Sequence, residues 1–395
     1  MSDLDLPSRR IRWFQRVGPW LGIGTGPGTL AVGGALAARL SPPAVLGVIL
    51  LGGFLLAALA TAQGWAGQRQ RQSLAVQAEK TFGRIGWVLN LMMALGLLGW
   101  LGFYIGLGGA MAAHLLGLPD PIGALLLTAL LAGAAGWGVD RWNALAGWTA
   151  MAALLTALLV FHRVGVSWPP PPWPAPAAAD IGLGIMQVVA YAIVFALRAS
   201  DFTWDLAEGS DVLKVGMALY GTLVVFVGMG ALMGWTLGHW NPAEALARTP
   251  GAFLGELLLT LAVIAPALSA LHSAALATAA LLSLPPSPVW ALGLAWIGGV
   301  LGAARFDRWL LPFLNGLGWT LPPALVVILM EAWAGCRWDP VWKASAWGAG
   351  MVVAIVMGVL GIPFPMLGGM IAVLFVLGLR QIRTGWGGQG LRSSL

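Results

Sequence analysis

The sequence has few charged residues. Of its 395 residues, 9% are Asp, Glu, Lys or Arg, whereas soluble globular domains average about 25%. Hydrophobic residues make up 59% of the chain, and the mean hydropathy is +0.84. This composition excludes a soluble globular domain and indicates an integral membrane protein.

The sequence also has a single cysteine, Cys336. One cysteine excludes a disulfide framework within the chain and a metal site built from several cysteines, and it leaves the redox compartment open. The chain lacks a P-loop, an HExxH motif, a GxSxG motif with partner residues and a cluster of carboxylates within its apolar runs. We therefore expect neither an enzyme nor a bound cofactor.

Long apolar runs fill most of the chain. They are about as long as the roughly 20 residues that cross a bilayer as a helix, and they lack the short alternating pattern of outer-membrane barrels. The sequence therefore predicts an all-α polytopic membrane protein. Its twelve predicted spans are 19–40, 44–63, 86–117, 121–138, 144–162, 180–199, 213–238, 253–283, 287–304, 308–332, 342–360 and 364–380.

The basic residues predict the orientation. An even number of spans places both termini on one side, and most of the 21 Lys and Arg residues then share that side, which the positive-inside rule makes cytoplasmic. The five on the other side are Arg39, Arg163, Arg248, Arg305 and Arg308. Residues 1–18 have no cleavage site of small residues, so they predict a retained cytoplasmic tail. The net charge of +6 follows from this topology, and we expect no nucleic-acid partner.

Three connections have distinctive compositions. Residues 64–84 mix charge with spaced apolar residues and predict a cytoplasmic amphipathic helix. Residues 166–180 are rich in proline and predict an extended external linker. Residues 238–253 predict a short external helix that Asn241 caps before Pro242.

The stretch GIGTGPGT, residues 22–29, interrupts the first span. In hydrocarbon a break in a helix is tolerated only where protein or a polar cavity satisfies the freed backbone groups. Residues 22–28 are therefore predicted to be non-helical and to lie near Ser269, although close helix packing through small residues is the alternative. The stretch 182–202, which contains most of the sixth span, is a second candidate for a break, as in transporters whose paired broken helices hold the substrate and ion.

Three segments, in order, resemble the nucleobase–cation symporter family of cytosine permeases and hydantoin transporters. They are GWLGFYIGLGGAMAAHLLGL at 99–118, ASDFTWDLAEGSDVLKVGMALYG at 199–221 and GWTLPPALVVILMEAWAGCR at 318–337. The resemblance implies the five-plus-five inverted-repeat fold of sodium-coupled amino-acid transporters, with two additional C-terminal helices. It divides the chain into a transport core over 19–332, with repeats at 19–163 and 180–332, two further helices over 333–380 and a cytoplasmic tail over 381–395.

The resemblance implies a set of substrate-binding residues. Trp100 falls where the family places an indole that stacks on a flat heterocycle, although it is also one of 22 tryptophans that can simply pack. Tyr104 follows one turn later. Tyr191 and Phe195 are near the family's second stacking ring, and Ala192 occupies that position in an ungapped match.

Other substrate-binding candidates are polar or backbone groups. Gln187 can donate to and accept from the edge of a base, or join two helices. Leu271 and His272 replace an Asn-Asp pair of the cytosine transporters. Gly26, Pro27 and Gly28 form the break itself.

A cation site is implied where the first and eighth spans meet. The family uses a carbonyl and two hydroxyls of the eighth span, and the matching residues are Pro266, Ser269 and Ala270, so one hydroxyl is missing. Carbonyls of Gly22 and Thr25 remain as further sodium ligands. His272 is a possible proton site instead, or a neutral imidazole that joins two helices.

Two acidic features lie near the predicted cytoplasmic side. Asp201, Asp205, Glu208 and Asp211 are predicted to form a solvated loop, with a gating salt bridge as the alternative. Glu331 is predicted to mark the membrane interface.

The function implied by the resemblance is cation-coupled import of a small planar heterocycle, such as cytosine or another nucleobase, by alternating access. Sodium or a proton is the coupling ion. A thiamine-precursor pyrimidine (hydroxymethylpyrimidine), a purine or a hydantoin is an alternative substrate, and a non-transporting receptor or scaffold is an alternative of another class. We expect a monomer in the lipid bilayer of the inner cell membrane.

Overall fold

The computed structural model describes residues 10–134, 139–166, 169, 172–173, 175–249, 253–282, 288–334 and 338–388. Cys336 and the predicted tails before residue 10 and after residue 388 lie outside the described residues. Within the described residues the regular structure is helical, apart from one isolated bridge between Ile11 and Leu206.

The chain forms sixteen α-helices in its described part. In chain order they are α1 (Val17–Thr25), α2 (Pro27–Ala37), α3 (Pro42–Gln70), α4 (Leu74–Phe82), α5 (Gly86–Leu116), α6 (Asp120–Ala134), α7 (Val139–Val164), α8 (Ala178–Leu197), α9 (Gly209–Leu237), α10 (Pro242–Ala247), α11 (Phe253–Ala262), α12 (Ile264–Leu282), α13 (Pro288–Ala303), α14 (Leu310–Ala334), α15 (Pro340–Val359) and α16 (Pro365–Gly388). Short 3-10 turns include Arg198–Phe202 after α8.

The predicted spans correspond to these helices. Seven helical segments are long and apolar enough to cross a membrane, four shorter apolar helices accompany them, and α1 and α2 together fill the first span. The eighth span is the pair α11 and α12. Helix α16 continues past residue 380 to Gly388, so the start of the predicted C-terminal tail is helical. The prediction of an all-α polytopic membrane protein is confirmed.

The connections differ in how well the sequence predicted them. Asn241 caps α10, because its side chain accepts a hydrogen bond from the Ala243 N–H at 3.0 Å, as predicted. The amphipathic helix is shorter than predicted, since α3 continues through Gln70 and only α4 is separate. Gly67 lets this end of α3 lie against the 198–202 turn, because a Cβ there would lie 2.5 Å from the Cα of Ser200.

The acidic loop is not the solvated loop that was predicted. Asp211 is fully buried and accepts from Lys214 at 2.9 Å. Asp205 pairs with Arg16, and Glu208 pairs with Arg12 at 2.9 Å. The buried carboxylates of Asp205 and Asp211 need charge partners, whereas Glu208 is exposed. The loop is therefore a docking surface for residues 11–16, which lead into α1.

Glu331, in the last turn of α14, is paired with a lysine of α15. Its carboxylate lies 2.9 Å from the ammonium of Lys343, which is 3% exposed. This pair joins α14 to α15, and a buried ammonium needs such a partner.

Helices α2 and α9 approach through small residues. A Cβ on Gly33 would lie 2.0 Å from the carbonyl oxygen of Val227, and one on Gly230 would lie 2.2 Å from that of Leu30. Glycine is therefore required for the two backbones to touch, and such contact is a main source of helix association in a membrane. This contact holds α2 against α9.

We predict that Gly230→Ala lowers the melting temperature of the purified protein. The added methyl forces α2 and α9 apart, and overpacking typically costs about 1–3 kcal/mol. Gly228→Ala on the same helix is the control, because nothing lies within 4 Å of a Cβ at Gly228. Equal melting temperatures for the two variants would contradict this account of the contact.

Candidate functional site

The first span breaks at one residue. Helix α1 ends at Thr25, Gly26 is extended with ψ 151°, and Pro27 begins α2. The prediction that all of residues 22–28 are non-helical is wrong in extent, because a single extended residue interrupts the helix. The Gly26 carbonyl then caps α2 by accepting from the N–H and hydroxyl of Thr29, at 2.9 and 2.6 Å.

The neighbouring glycines serve packing, as the alternative interpretation held. A Cβ on Gly24 would lie 1.9 Å from the Thr222 hydroxyl oxygen. A Cβ on Gly28 would lie 2.7 Å from the Tyr191 ring and 3.2 Å from the Trp100 ring. A break and close packing therefore occur in the same stretch.

A tyrosine satisfies the carbonyl that the break frees. In a continuous helix the carbonyl of Ile23 would accept from the N–H of residue 27, four positions on, but Pro27 has no N–H. The hydroxyl of Tyr191 donates to this carbonyl oxygen at 2.7 Å. Tyr191 is 3% exposed, so the bond lies within the protein interior.

The same tyrosine precedes a second irregularity. Within α8, Ala192 has non-helical φ and ψ of −124° and 22°, which kinks the helix. The second break predicted for the sixth span therefore lies at Ala192. The hydrogen bond of Tyr191 joins one interrupted helix to the other.

Aromatic rings surround this junction. Trp100 stacks on Tyr104 with ring centroids 5.7 Å apart and an interplanar angle of 28°. Tyr191 meets the Trp100 ring edge-on at 5.1 Å, and Phe313 of α14 meets it at 5.5 Å. Edge-to-face and offset-stacked pairs of this kind are favourable beyond the area they bury.

A cavity of about 110 Å³ lies beside these rings. Residues of α1, α5, α8, the 198–202 turn and α12 line it. They are Gly18, Pro19, Gly22, Ile23, Leu97, Trp100, Tyr104, Tyr191, Ala192, Val194, Phe195, Arg198, Phe202, Ala265, Pro266, Ser269, Ala270, His272 and Ser273.

Most of the predicted site residues line this cavity. The substrate-binding candidates among them are Trp100, Tyr104, Tyr191, Ala192 and Phe195, and the cation or proton candidates are Gly22, Pro266, Ser269, Ala270 and His272. The structure therefore brings the first, third, sixth and eighth spans together around one space. Residues near the first-span break and Ser269 share this lining, as predicted.

Six predicted residues are not part of the lining: Gly26, Pro27 and Gly28 of the break, with Thr25, Gln187 and Leu271. The Thr25 hydroxyl bonds back to the Leu21 carbonyl at 2.9 Å. Leu271 is fully buried among other apolar side chains.

The amide of Gln187 lies one turn from Tyr191, on the side away from Arg198. Its oxygen accepts from Arg39 at 2.6 Å, and its nitrogen donates to the Asn315 side chain at 3.1 Å. Gln187 therefore joins three segments of the bundle, which is the alternative role that the sequence left open for it.

Arg198 and Ser273 line the cavity but were not predicted as site residues. Arg198 follows Tyr191 by seven residues and Phe195 by three, and Ser273 follows Ser269 by four. These spacings place side chains on one helix face, so the signal was present. The acidic residues around Arg198 had instead suggested a loop.

We predict that Tyr191→Phe destabilises the protein. The change leaves the buried Ile23 carbonyl without its donor, which typically costs about 1–3 kcal/mol. Thermal denaturation of the purified variant measures the loss. Tyr220→Phe is the matched control, since Tyr220 is the remaining tyrosine outside the cavity. A Tyr191→Phe variant as stable as Tyr220→Phe would show that the hydroxyl does not hold the break.

Comparison with known proteins finds solved structures of similar fold. No family model and no curated protein matches the sequence. Among solved structures, Mhp1 in an inward-facing conformation has a TM-score of 0.74 and 16% identity, over 97% of this chain and 95% of that one. Mhp1, described as a nucleobase-cation-symport-1 family transporter, in a closed conformation with bromovinylhydantoin bound, has a TM-score of 0.73 and 16% identity, over 98% and 96%.

Two further transporters are similar. A manganese transporter from Eremococcus coleocola has a TM-score of 0.63 and 14% identity, over 95% of this chain and 100% of that one. A substrate-bound Na⁺-coupled sialic acid symporter has a TM-score of 0.59 and 11% identity, over 93% and 90%. The chain is a multi-pass membrane protein, and its overall fold is the inverted-repeat fold of these transporters, as its sequence predicted.

Proposed function

We propose that this protein is a secondary active transporter of the nucleobase–cation symporter family, which imports a small planar heterocycle together with a cation. The observation that carries the proposal is the aromatic cavity at the meeting point of two interrupted helices. Interrupted helices at a repeat interface form the substrate and ion sites of transporters with this fold class. Similarity to Mhp1, which was solved with bromovinylhydantoin bound, supports a planar ligand.

The cavity suits a flat ring. The Trp100 ring lines it, and neighbouring rings hold that indole in place. Stacking of a base on an aromatic side chain is worth about 1–3 kcal/mol in nucleic-acid-binding proteins. Alternating access then requires the two repeats, at 19–163 and 180–332, to move around this point while residues 333–380 form the two additional helices.

A receptor or scaffold of the same fold would bind without transport. Purified protein can be screened by thermal shift against nucleobases, hydantoins and pyrimidine vitamin precursors, with and without sodium, because a ligand stabilises the native state. Uptake of the stabilising compound into proteoliposomes then distinguishes a transporter from a receptor or scaffold. Binding without uptake would favour the receptor.

The location follows from the same proposal. The protein acts as a monomer in the inner cell membrane, with both termini in the cytoplasm. The basic residues of 10–16 and 69–84 support this orientation by the positive-inside rule.

We predict that Trp100→Ala weakens binding of the stabilising heterocycle by about 1–3 kcal/mol, because it removes the stacking surface. Trp100→Phe should retain part of the affinity. Trp148→Ala is the control, since Trp148 is 75% exposed on the outside of the bundle. Isothermal titration with each variant measures the effect. Unchanged affinity in Trp100→Ala would place the ligand elsewhere.

For the coupling ion we propose sodium ahead of a proton. Gly22, Pro266 and Ser269 line the same cavity and can offer oxygen ligands. Ala270 supplies no hydroxyl, so the site is weaker than one with both hydroxyls. His272 also lines the cavity and is the proton candidate. Among the described residues no group of three His, Cys, Asp or Glu side chains could hold a metal ion, so a transition-metal substrate has no support here.

We predict that Ser269→Ala abolishes sodium-stimulated binding, that His272→Ala preserves it, and that Ala270→Thr strengthens it by adding an oxygen ligand. Ligand titrations at several sodium concentrations measure all three. Uptake that is driven by a proton gradient, indifferent to sodium and lost in His272→Ala would reverse the assignment.

A further inference from the structure

The cavity contains one cationic side chain whose position the transport proposal does not explain. Arg198 is 8% exposed and lines the cavity with Phe195, three residues before it. Its Nε donates to Asp201 at 2.8 Å, and the other oxygen of Asp201 accepts from the Leu74 N–H at 2.7 Å. These two bonds hold the guanidinium at one end of the cavity.

The rest of the guanidinium is not satisfied in the same way. Its Nη1 is buried and has no hydrogen-bond partner among the residues that the structure describes. Leaving a charged donor buried and unpaired costs free energy, and guanidinium groups pair best with carboxylate or other oxyanions. The Nε of Arg198 alone makes the hydrogen bond to Asp201. This pairing therefore does not explain why Nη1 is buried without a partner.

The other polar groups at this end suit an anion. Besides the residues assigned to the cation, the lining includes the hydroxyl of Ser273 and the imidazole of His272. No Asp or Glu of the described chain is part of it. Asp201 contacts Arg198 from outside the lining. Beside the Arg198 guanidinium an acceptor-rich or negatively charged group of the ligand is therefore favoured.

We propose that the substrate is a planar heterocycle carrying a carboxylate, whose ring lies against Trp100 while its carboxylate accepts from Arg198. This inference rests on the proposed function and narrows its substrate class. Trp100 and Arg198 line the same cavity, so a ring that lies against the indole can carry a carboxylate, directly or on a short arm, toward the guanidinium.

Matched pairs of compounds test the proposal. Purified full-length protein is titrated with uracil and its 6-carboxylate, orotate, and with hydantoin and hydantoin-5-acetate. Because charge-assisted hydrogen bonds are among the strong ones, we expect the carboxylate member of at least one pair to bind roughly tenfold or more tightly than its neutral partner. Arg198→Gln should remove this preference, and Arg198→Lys should retain part of it.

Arg16→Gln is the matched control. Arg16 also pairs with an aspartate of the same loop, Asp205, but does not line the cavity. The preference for the carboxylate should survive in this variant. If Arg198→Gln does not fold, Arg198→Lys and the pairwise comparison in the parent protein still decide the question.

The outcomes separate this inference from the transport proposal. If the neutral compounds bind as tightly as their carboxylates, and Trp100→Ala weakens them, the anionic substrate is overturned while heterocycle transport stands. A preference that persists in Arg198→Gln also overturns the inference. If no compound binds and none enters proteoliposomes, both proposals fall.

Discussion

Every backbone polar group within the bilayer needs a partner, and the arrangement of this protein's centre follows from that requirement. Pro27 takes away the donor that the Ile23 carbonyl would use, and Tyr191 supplies it from another helix at 2.7 Å. The break in the first span is therefore stable only while α8 stays beside it. Since Tyr191 also contacts the Trp100 ring, this one bond places the aromatic cavity at the junction of the two helices.

Close helix contact brings the tyrosine to that carbonyl. Lipid tails are as apolar as leucine, so helices in a membrane associate through packing rather than through the hydrophobic effect. Glycines at Gly24, Gly28 and Gly33 let the first span touch α9 and the aromatic rings, where any Cβ would overlap a neighbouring atom. Bulkier residues would move α1 and α2 outward and separate Ile23 from Tyr191.

The sequence alone predicted the features that local chemistry and periodicity determine: the apolar spans, the Asn241 cap, and a shared face for Trp100 and Tyr104. It did not predict the position of a side chain that contacts a partner distant in sequence. Gln187 faces Arg39 and Asn315 instead of the cavity, 148 and 128 residues away. The extent of the break was overestimated because four glycines signal flexibility and close packing equally. Arg198 was missed because its acidic neighbours suggested a loop, although its spacing from Tyr191 placed it on the cavity face.

The contacts on the two sides of Tyr191 along α8 differ in kind. Beside Arg198, residues 11–16 are held to the 205–208 segment by the Ile11 bridge and by the pairs of Arg12 with Glu208 and Arg16 with Asp205. The Arg12 pair is more than half exposed, and exposed pairs contribute only about 0–1 kcal/mol, so the buried Asp205 and its pair with Arg16 hold these segments more firmly. On the other side of Tyr191, the Gln187 amide joins α8 to α14. The central hydrogen bond of Tyr191 is buried and uncharged, and losing it would leave a carbonyl unsatisfied. In the proposed transport function this bond is the fixed centre around which the two ends open in turn.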